Sequence, residues 1–292
     1  MNNQTQLLLL TLCGDFGDGA LPLGVKEYRK LKVLMSCNIF FENNREVSAE
    51  NLLALGFDIA ETQRIMTLIS REKTVESQLD QLSDMGIVPI TCISPDYPKN
   101  IAEKLGESAP AVLFCAGNTD LLKNRAAAIV GSRTLAVKGA EFAAAFGRAC
   151  AQKGITLVSG GAEGADMIAQ QSALSCGGAV ISFRPDSLIK NRIKLSSEID
   201  GGKLLIVSER GADCSFSAAS AASRNRLIHS YCSKVFVAGA DYKSGGTWSG
   251  TEINLKKGYS KVYVLNDGSR GCSGLIELGA EPVETGDIIS LL

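Results

Sequence analysis

Residues 155–176 read ITLVSGGAEGADMIAQQSALSC. The opening five, Ile155–Ser159, form a short apolar run closed by glycine, the pattern of a strand buried on both faces of a parallel sheet. The last thirteen, Gly164–Cys176, have helical texture. Between them Gly160, Gly161 and Gly164 make a turn bare of side chains. A strand, a glycine turn and a helix in that order are one unit of a wound α/β sheet.

The same unit recurs on either side. Apolar runs at Ala126–Val130, Ala179–Phe183, Leu204–Val207, Val235–Ala238 and Val262–Leu265 are short, nearly continuous and bounded by glycine or polar turns. Helical stretches such as Val137–Lys153 separate them. This alternation predicts a Rossmann-like, doubly wound and mainly parallel α/β sheet with helices on both faces. Two more strands, around Met85–Ile93 and Ala111–Cys115, precede it. From Gln6 to about Asp84 the texture is helical, with Leu7–Leu12, Tyr28–Leu34, Ala49–Leu55 and Ile59–Ser70 carrying apolar residues at helical spacing. The expected division is a small helical domain at 1–84 and a Rossmann-like domain at 85–292 whose core starts near 126.

Composition narrows the chemistry. The chain has 292 residues, one histidine (His229) and nine cysteines, none in a C-x-x-C pair. Scattered cysteines in apolar settings read as buried, reduced thiols of a cytoplasmic protein. One histidine leaves little for a zinc site or a Ser-His-Asp hydrolase, so many hydrolases are disfavoured and neither a metal nor another cofactor is expected. The Leu7–Leu12 run lacks the basic segment and cleavage site of a leader, and no stretch approaches a membrane span. Charge is uneven: residues 1–124 hold 11 Lys and Arg against 16 Asp and Glu, residues 125–292 hold 19 against 15. The basic half is the better partner for an anion.

Ligands of open α/β sheets gather at the carboxyl ends of the strands, and four such places carry distinctive residues. Gly131-Ser132-Arg133 follows the first core strand, and Ser159-Gly160-Gly161 through Gly164 and Asp166 follows the second. Arg224-Asn225-Arg226 is read as opening the helix after the fourth. Lys243-Ser244-Gly245-Gly246-Thr247 follows the fifth. Glycines let backbone amides approach a phosphate, arginine clamps it with two donors, and lysine and serine add a point charge and a hydroxyl. Neither G-x-G-x-x-G at the first loop nor a Walker G-x-x-x-x-G-K-S/T string is present, which disfavours a dinucleotide dehydrogenase and a nucleoside triphosphatase. Asp166 is read as a structural charge at a helix start, Glu209 as a strand end, His229 as a surface or packed residue, and Trp248 as either a base-stacking or a packing ring.

With these strings in place, the chain resembles the DNA-processing protein A family (DprA/Smf). The matching segments are AIVGSR at 128–133, VSGGAEGAD at 158–166, SRNRLI at 223–228 and KSGGTWSGT at 243–251. Gly86-Ile87, Asp96-Tyr97-Pro98 and the helical, sterile-alpha-motif-like region around Leu53–Arg71 lie before the core. The resemblance implies a non-enzymatic protein that binds single-stranded DNA, forms a homodimer and loads a RecA-type recombinase during DNA processing, recombination or transformation. It implies that Arg133 contacts backbone phosphate, that Arg224, Asn225 and Arg226 line or hold the pocket, and that Lys243, Ser244 and Gly245 flank it. Gly160, Gly161 and Gly164 would let the strand pass close. The chain departs from the family pattern in four places. Ala221-Ala222 stand where Phe-Pro is common, with Phe216 the nearest aromatic, and Gln170 stands where a histidine is common. The last loop reads Gly-Gly-Thr-Trp, and no winged-helix tail follows the core. Two other readings use the same phosphate-holding loops. One is a sensor of small nucleotides. The other is a nucleotide phosphoribohydrolase, whose Gly-Gly-x-Gly-Thr-x-x-Glu loop Gly245–Glu252 resembles with altered spacing.

Overall fold

The computed structural model describes residues 3–36 and 47–292. Cys37, one of the thiols expected to be buried, lies outside them. Nine strands form one sheet: β1 (Ile87–Thr91), β2 (Val112–Gly117), β3 (Ala126–Val130), β4 (Thr156–Ser159), β5 (Val180–Phe183), β6 (Leu204–Ser208), β7 (Lys234–Val237), β8 (Lys261–Leu265) and β9 (Glu281–Val283). Their order is β1-β2-β6-β5-β4-β3-β7-β8-β9. The run from β6 to β9 is parallel, while β1 pairs antiparallel with β2, and β2 antiparallel with β6. The expected Rossmann-like, mainly parallel α/β sheet is therefore present, extended by an antiparallel edge and by β9.

Each core strand is apolar on both faces because both faces are covered. In β3, Ala127 and Ile129 pack on one side, while Ala128 and Val130 pack on the other. Helices Val137–Lys153 and Ala165–Ser175 cover the first face. Lys99–Leu105, Ala218–Tyr231, Gly245–Lys257 and Arg270–Glu277 cover the second. The strand count runs outward from β3 through β4, β5 and β6. It then returns to place β7 on the other flank of β3. That reversal opens a crevice at the carboxyl ends of β3 and β7, where ligands of such sheets bind.

The helices before β1 rest on the first face. Leu9, Leu12, Leu52 and Leu68 share a core with Phe114 and Ala116 of β2, and the Phe16 ring meets Phe114 edge-on at 5.5 Å. Local sequence sets the helix starts. Asp58 and Glu61 cap Ile59–Ser70 reciprocally, which satisfies two of the amides a helix start leaves bare. Buried Arg71 fastens the bundle, donating to the carbonyls of Thr11 and Gly14 and pairing with Asp18 at 2.9 Å. No helix among the described residues is long and apolar enough to cross a membrane.

The described cysteines are unbridged. Cys13, Cys115, Cys150, Cys232 and Cys272 are buried, Cys92 and Cys214 half-buried, and Cys176 exposed. Burial pushes the thiols of Cys13, Cys115, Cys150 and Cys232 well up, away from the reactive thiolate.

Candidate functional site

The four loops read from the sequence meet at the crevice and close into a ring of contacts. Ser132 donates its N–H to the Gly239 carbonyl at 2.9 Å and its hydroxyl to Asp241 at 3.3 Å, joining the loop after β3 to the loop after β7. Gly164 faces the carbonyls of Ser132 and Arg133, so close that a β-carbon there would lie 2.4 Å from each. Asp166 reaches Arg224 at 3.5 Å. Asn225 donates to the Gly246 carbonyl at 3.0 Å, which completes the circuit.

Inside the ring the glycine loop is wrapped by arginines. A β-carbon on Gly160 would fall 0.9 Å from an Arg224 guanidinium nitrogen, and one on Gly161 would fall 1.9 Å from Arg184. These glycines make room for protein cations. The N–H groups of Gly160 and Ala162 donate to the same Asp166 oxygen at 3.0 and 3.3 Å, so they point inward, away from any ligand. Asp166 thus does more than sit in the first turn of its helix. Burial pushes its carboxyl up, against the pull of Arg224 and of the two N–H groups.

Arg224-Asn225-Arg226 does not open its helix. Ser217 caps the start in a reciprocal pair with Ser220, and Arg224 lies two turns in, where it is buried. Position within the helix aims Arg224 at Asp166, Asn225 at Gly246, and Arg226 at Glu209, 3.7 Å away. The Nε–H groups of Arg184, Arg224 and Arg226 are buried without partners. The cluster is therefore held at some cost to stability, as functional constellations are.

The groups turned to solvent lie on the opposite rim. Arg133 is exposed, with its guanidinium carbon 6.0 Å from the centre of the Phe216 ring, itself 53% exposed. Lys243 is exposed and holds φ +53°, alone among described non-glycine residues in the left-handed region, a conformation that costs free energy and clusters at functional sites. Ser244, Gly245 and Gly246 follow, all exposed, at the start of a 13-residue helix that no side chain caps. Its first amides and the positive end of its dipole form the anion-ready part of the crevice.

Arg184, which the sequence reading passed over, and Gln170, which it marked as a departure from the family pattern, shape the floor. Arg184 donates to the Gly161 carbonyl at 2.7 Å and to Asn191 at 2.6 Å. Gln170, where the family resemblance leads one to expect histidine, donates to Ser159 at 2.6 Å and to Ser182 at 3.0 Å, tying the ends of β4 and β5. The Arg-Pro-Asp string directly after β5 was the available signal for Arg184. Trp248 is buried and meets Tyr242 at 5.1 Å, so its ring packs and is closed to a base. Glu252 pairs with Lys256 at 2.7 Å, which lowers its pKa.

His229, the only histidine, is buried between two of the site's helices and accepts from Asn254 at 2.9 Å. Desolvation lowers its pKa from 6.5 to about 4. The unfolded chain takes up this proton first, so the contribution of neutral His229 is full above pH 6.5 and fades as pH falls towards 4. At pH 4.5 the loss is on the order of 2–3 kcal/mol. Urea titrations at pH 7 and 4.5 should show a stability drop smaller by about that amount in His229→Gln. Equal drops in the two proteins would remove His229 as the cause.

The sequence pattern of the family described as DNA recombination-mediator protein A matches residues 89–292. The chain belongs to that family. It is 33% identical over 197 residues to DNA processing protein DprA of Streptococcus pneumoniae, covering 65% of this chain and 68% of that protein. It is 29% identical over 245 residues to protein Smf of Escherichia coli, spanning 80% of this chain and 63% of Smf. Among solved structures, pneumococcal DprA superposes with a TM-score of 0.71 at 24% identity, over 100% of this chain and 98% of that one. DNA processing protein A of Helicobacter pylori, whose structure was described for its single-stranded DNA binding mode, superposes with a TM-score of 0.59 at 29% identity, over 70% and 94% of the two chains. The strings that gave the family resemblance, 128–133, 158–166, 223–228 and 243–251, are the four segments of the ring. In this member of the DNA recombination-mediator protein A family, Gln170 ties two strand ends beside the ring, and Ala221 and Ala222 lie in the helix that carries Arg224.

Proposed function

We propose that this protein binds single-stranded DNA along the carboxyl edge of its sheet, and that as a homodimer it passes the strand to a RecA-type recombinase. The observation that carries the DNA reading is the closed ring of four loops. It presents Arg133 and Lys243 as exposed cations beside an uncapped helix start, with buried Arg224 and Asp166 holding the ring together. Phosphates sit on Arg133, Lys243, Ser244 and the amides of Gly245 and Gly246. Phe216, exposed beside Arg133, offers a ring to an unstacked base where Ala221 and Ala222 cannot. Gly131, Ser132, Ser159, Gly160, Gly161, Gly164, Asn225 and Arg226 set the shape of the ring. The homodimer and the recombinase hand-over rest on family membership.

Fluorescence anisotropy with labelled oligo-dT, against duplex of the same length and against AMP, tests the DNA reading at two salt concentrations. Single strand should bind most tightly, with affinity falling steeply as salt rises. Arg133→Ala should weaken binding about tenfold on every sequence and flatten the salt slope by about 0.7, the share of one phosphate contact. Unchanged affinity in folded Arg133→Ala would overturn the site, and ready displacement of oligo-dT by AMP would point to a nucleotide sensor using the same loops. Recombinase loading is then read from filament assembly on coated single strands.

A further inference from the structure

The opposite edge of the sheet also carries a cavity. It has a volume of about 530 Å³ and opens at the amino ends of β3 and β7, between the turn that enters β3 and the segment after β1. Nothing in the proposed DNA site uses it. Its size lies within the roughly 300–1,000 Å³ of small-molecule pockets.

Its charge is one-sided. Lys99, Lys123, Arg125 and Lys234 line it, against the single carboxylate of Asp96. Lys123 is already paired, with Asp96 at 3.2 Å and Asp120 at 3.0 Å. Lys99 has no polar partner among the described residues. Arg125 and Lys234 lean on the main-chain oxygens of Leu292 and Leu291 and meet no acidic side chain. Three cations from three separate segments thus converge on one concavity, and none of them pairs with an acidic side chain among the described residues. Clustered like charges repel, and a concave wall of low dielectric focuses their field on whatever enters.

We propose that this cavity binds a small phosphorylated molecule of nucleoside monophosphate size. A phosphate dianion matches the fork of Arg125 and the point charges of Lys99 and Lys234. The remaining wall, with Leu122, Ala127 and Ile155, is apolar enough to hold a nucleoside. Phosphate chemistry is shared by a free nucleotide and a DNA backbone, and the test separates them.

Calorimetric titration of the full chain with AMP and with inorganic phosphate should show binding that saturating oligo-dT does not displace. Lys99→Gln/Lys234→Gln should weaken AMP at least tenfold while leaving oligo-dT affinity and melting temperature near those of the parent. On the unmodified protein, AMP should shift the amide resonances of Lys123–Ala127 and Ser233–Lys234 more than those of Ser132–Arg133 and Lys243–Gly246. This second measurement holds even if the double variant fails to fold. Absence of AMP binding, or shifts confined to the carboxyl edge, would overturn the proposal and leave the cations as fasteners for Leu291 and Leu292. A loss of oligo-dT affinity in the double variant would overturn it in favour of a DNA backbone track.

Discussion

Replacing Arg224 by alanine is expected to cost about 3–5 kcal/mol of folding stability, because it leaves the Asp166 carboxylate buried without its counter-charge. Both partners are almost fully enclosed, and desolvation moves each pKa towards its neutral form, Asp166 upwards and Arg224 downwards. Their attraction therefore does not fully offset burial even in the intact pair. Removing one member exposes the whole penalty on the other. Asp166→Ala should be comparably severe, since it also releases the N–H groups of Gly160 and Ala162. Taking out both charges should cost clearly less than the sum of the single losses. Urea unfolding of the two single variants and the double variant gives the coupling directly. Additive losses would show that Arg224 acts through packing alone. The expected DNA phenotype is collapse of the ring, so weakened binding by Arg224→Ala says less about contact with phosphate than weakened binding by Arg133→Ala.

Gly164→Ala is the second large effect, at about 3 kcal/mol or more, with strand binding weakened at least tenfold. Two causes add. Gly164 has φ +83° and ψ −127°, a region open essentially to glycine and costing about 1–3 kcal/mol for other residues. A β-carbon would also lie 2.4 Å from the carbonyl oxygens of Ser132 and Arg133, forcing apart the two loops that carry the proposed phosphate contacts. Gly177→Ala separates the causes. Gly177 has φ +74° but nothing within 4 Å of the added carbon, so only the backbone cost of about 1 kcal/mol remains, and DNA affinity should not move. Equal stability losses in the two variants would mean that the loop–loop contact at Gly164 carries no weight.

Much of the architecture was readable from the chain because it is written in local patterns. A strand covered on both faces must be apolar throughout, and a helix lying on one face repeats near every fourth residue. Ala126–Val130 and Val137–Lys153 accordingly appear in the structure with the bounds expected. The orientation of β1 and β2 was not readable, since direction depends on which edge a strand joins and leaves no trace in its own residues. β9, three residues long with two of them exposed, has too little apolar pattern to stand out.

The site divides in the same way. Glycine turns at strand ends, and a serine, arginine or lysine beside them, are neighbours in sequence, so the segments at 131–133, 159–166, 224–226 and 243–245 are legible in the chain itself. What each residue does there depends on partners far along the chain. Asp166 and Arg224 stand 58 positions apart, and Gly161 and Arg184 stand 23 apart. Only folding shows that the loop glycines make space for protein arginines, that Trp248 is closed off, and that Gln170 bridges two strand ends. The sequence by itself determined the α/β sheet, the edge at which ligands of such sheets collect and the residue types standing there. The tertiary structure alone decided which of those cations are buried to hold the ring and which face solvent, because burial is set by neighbours that no local pattern encodes.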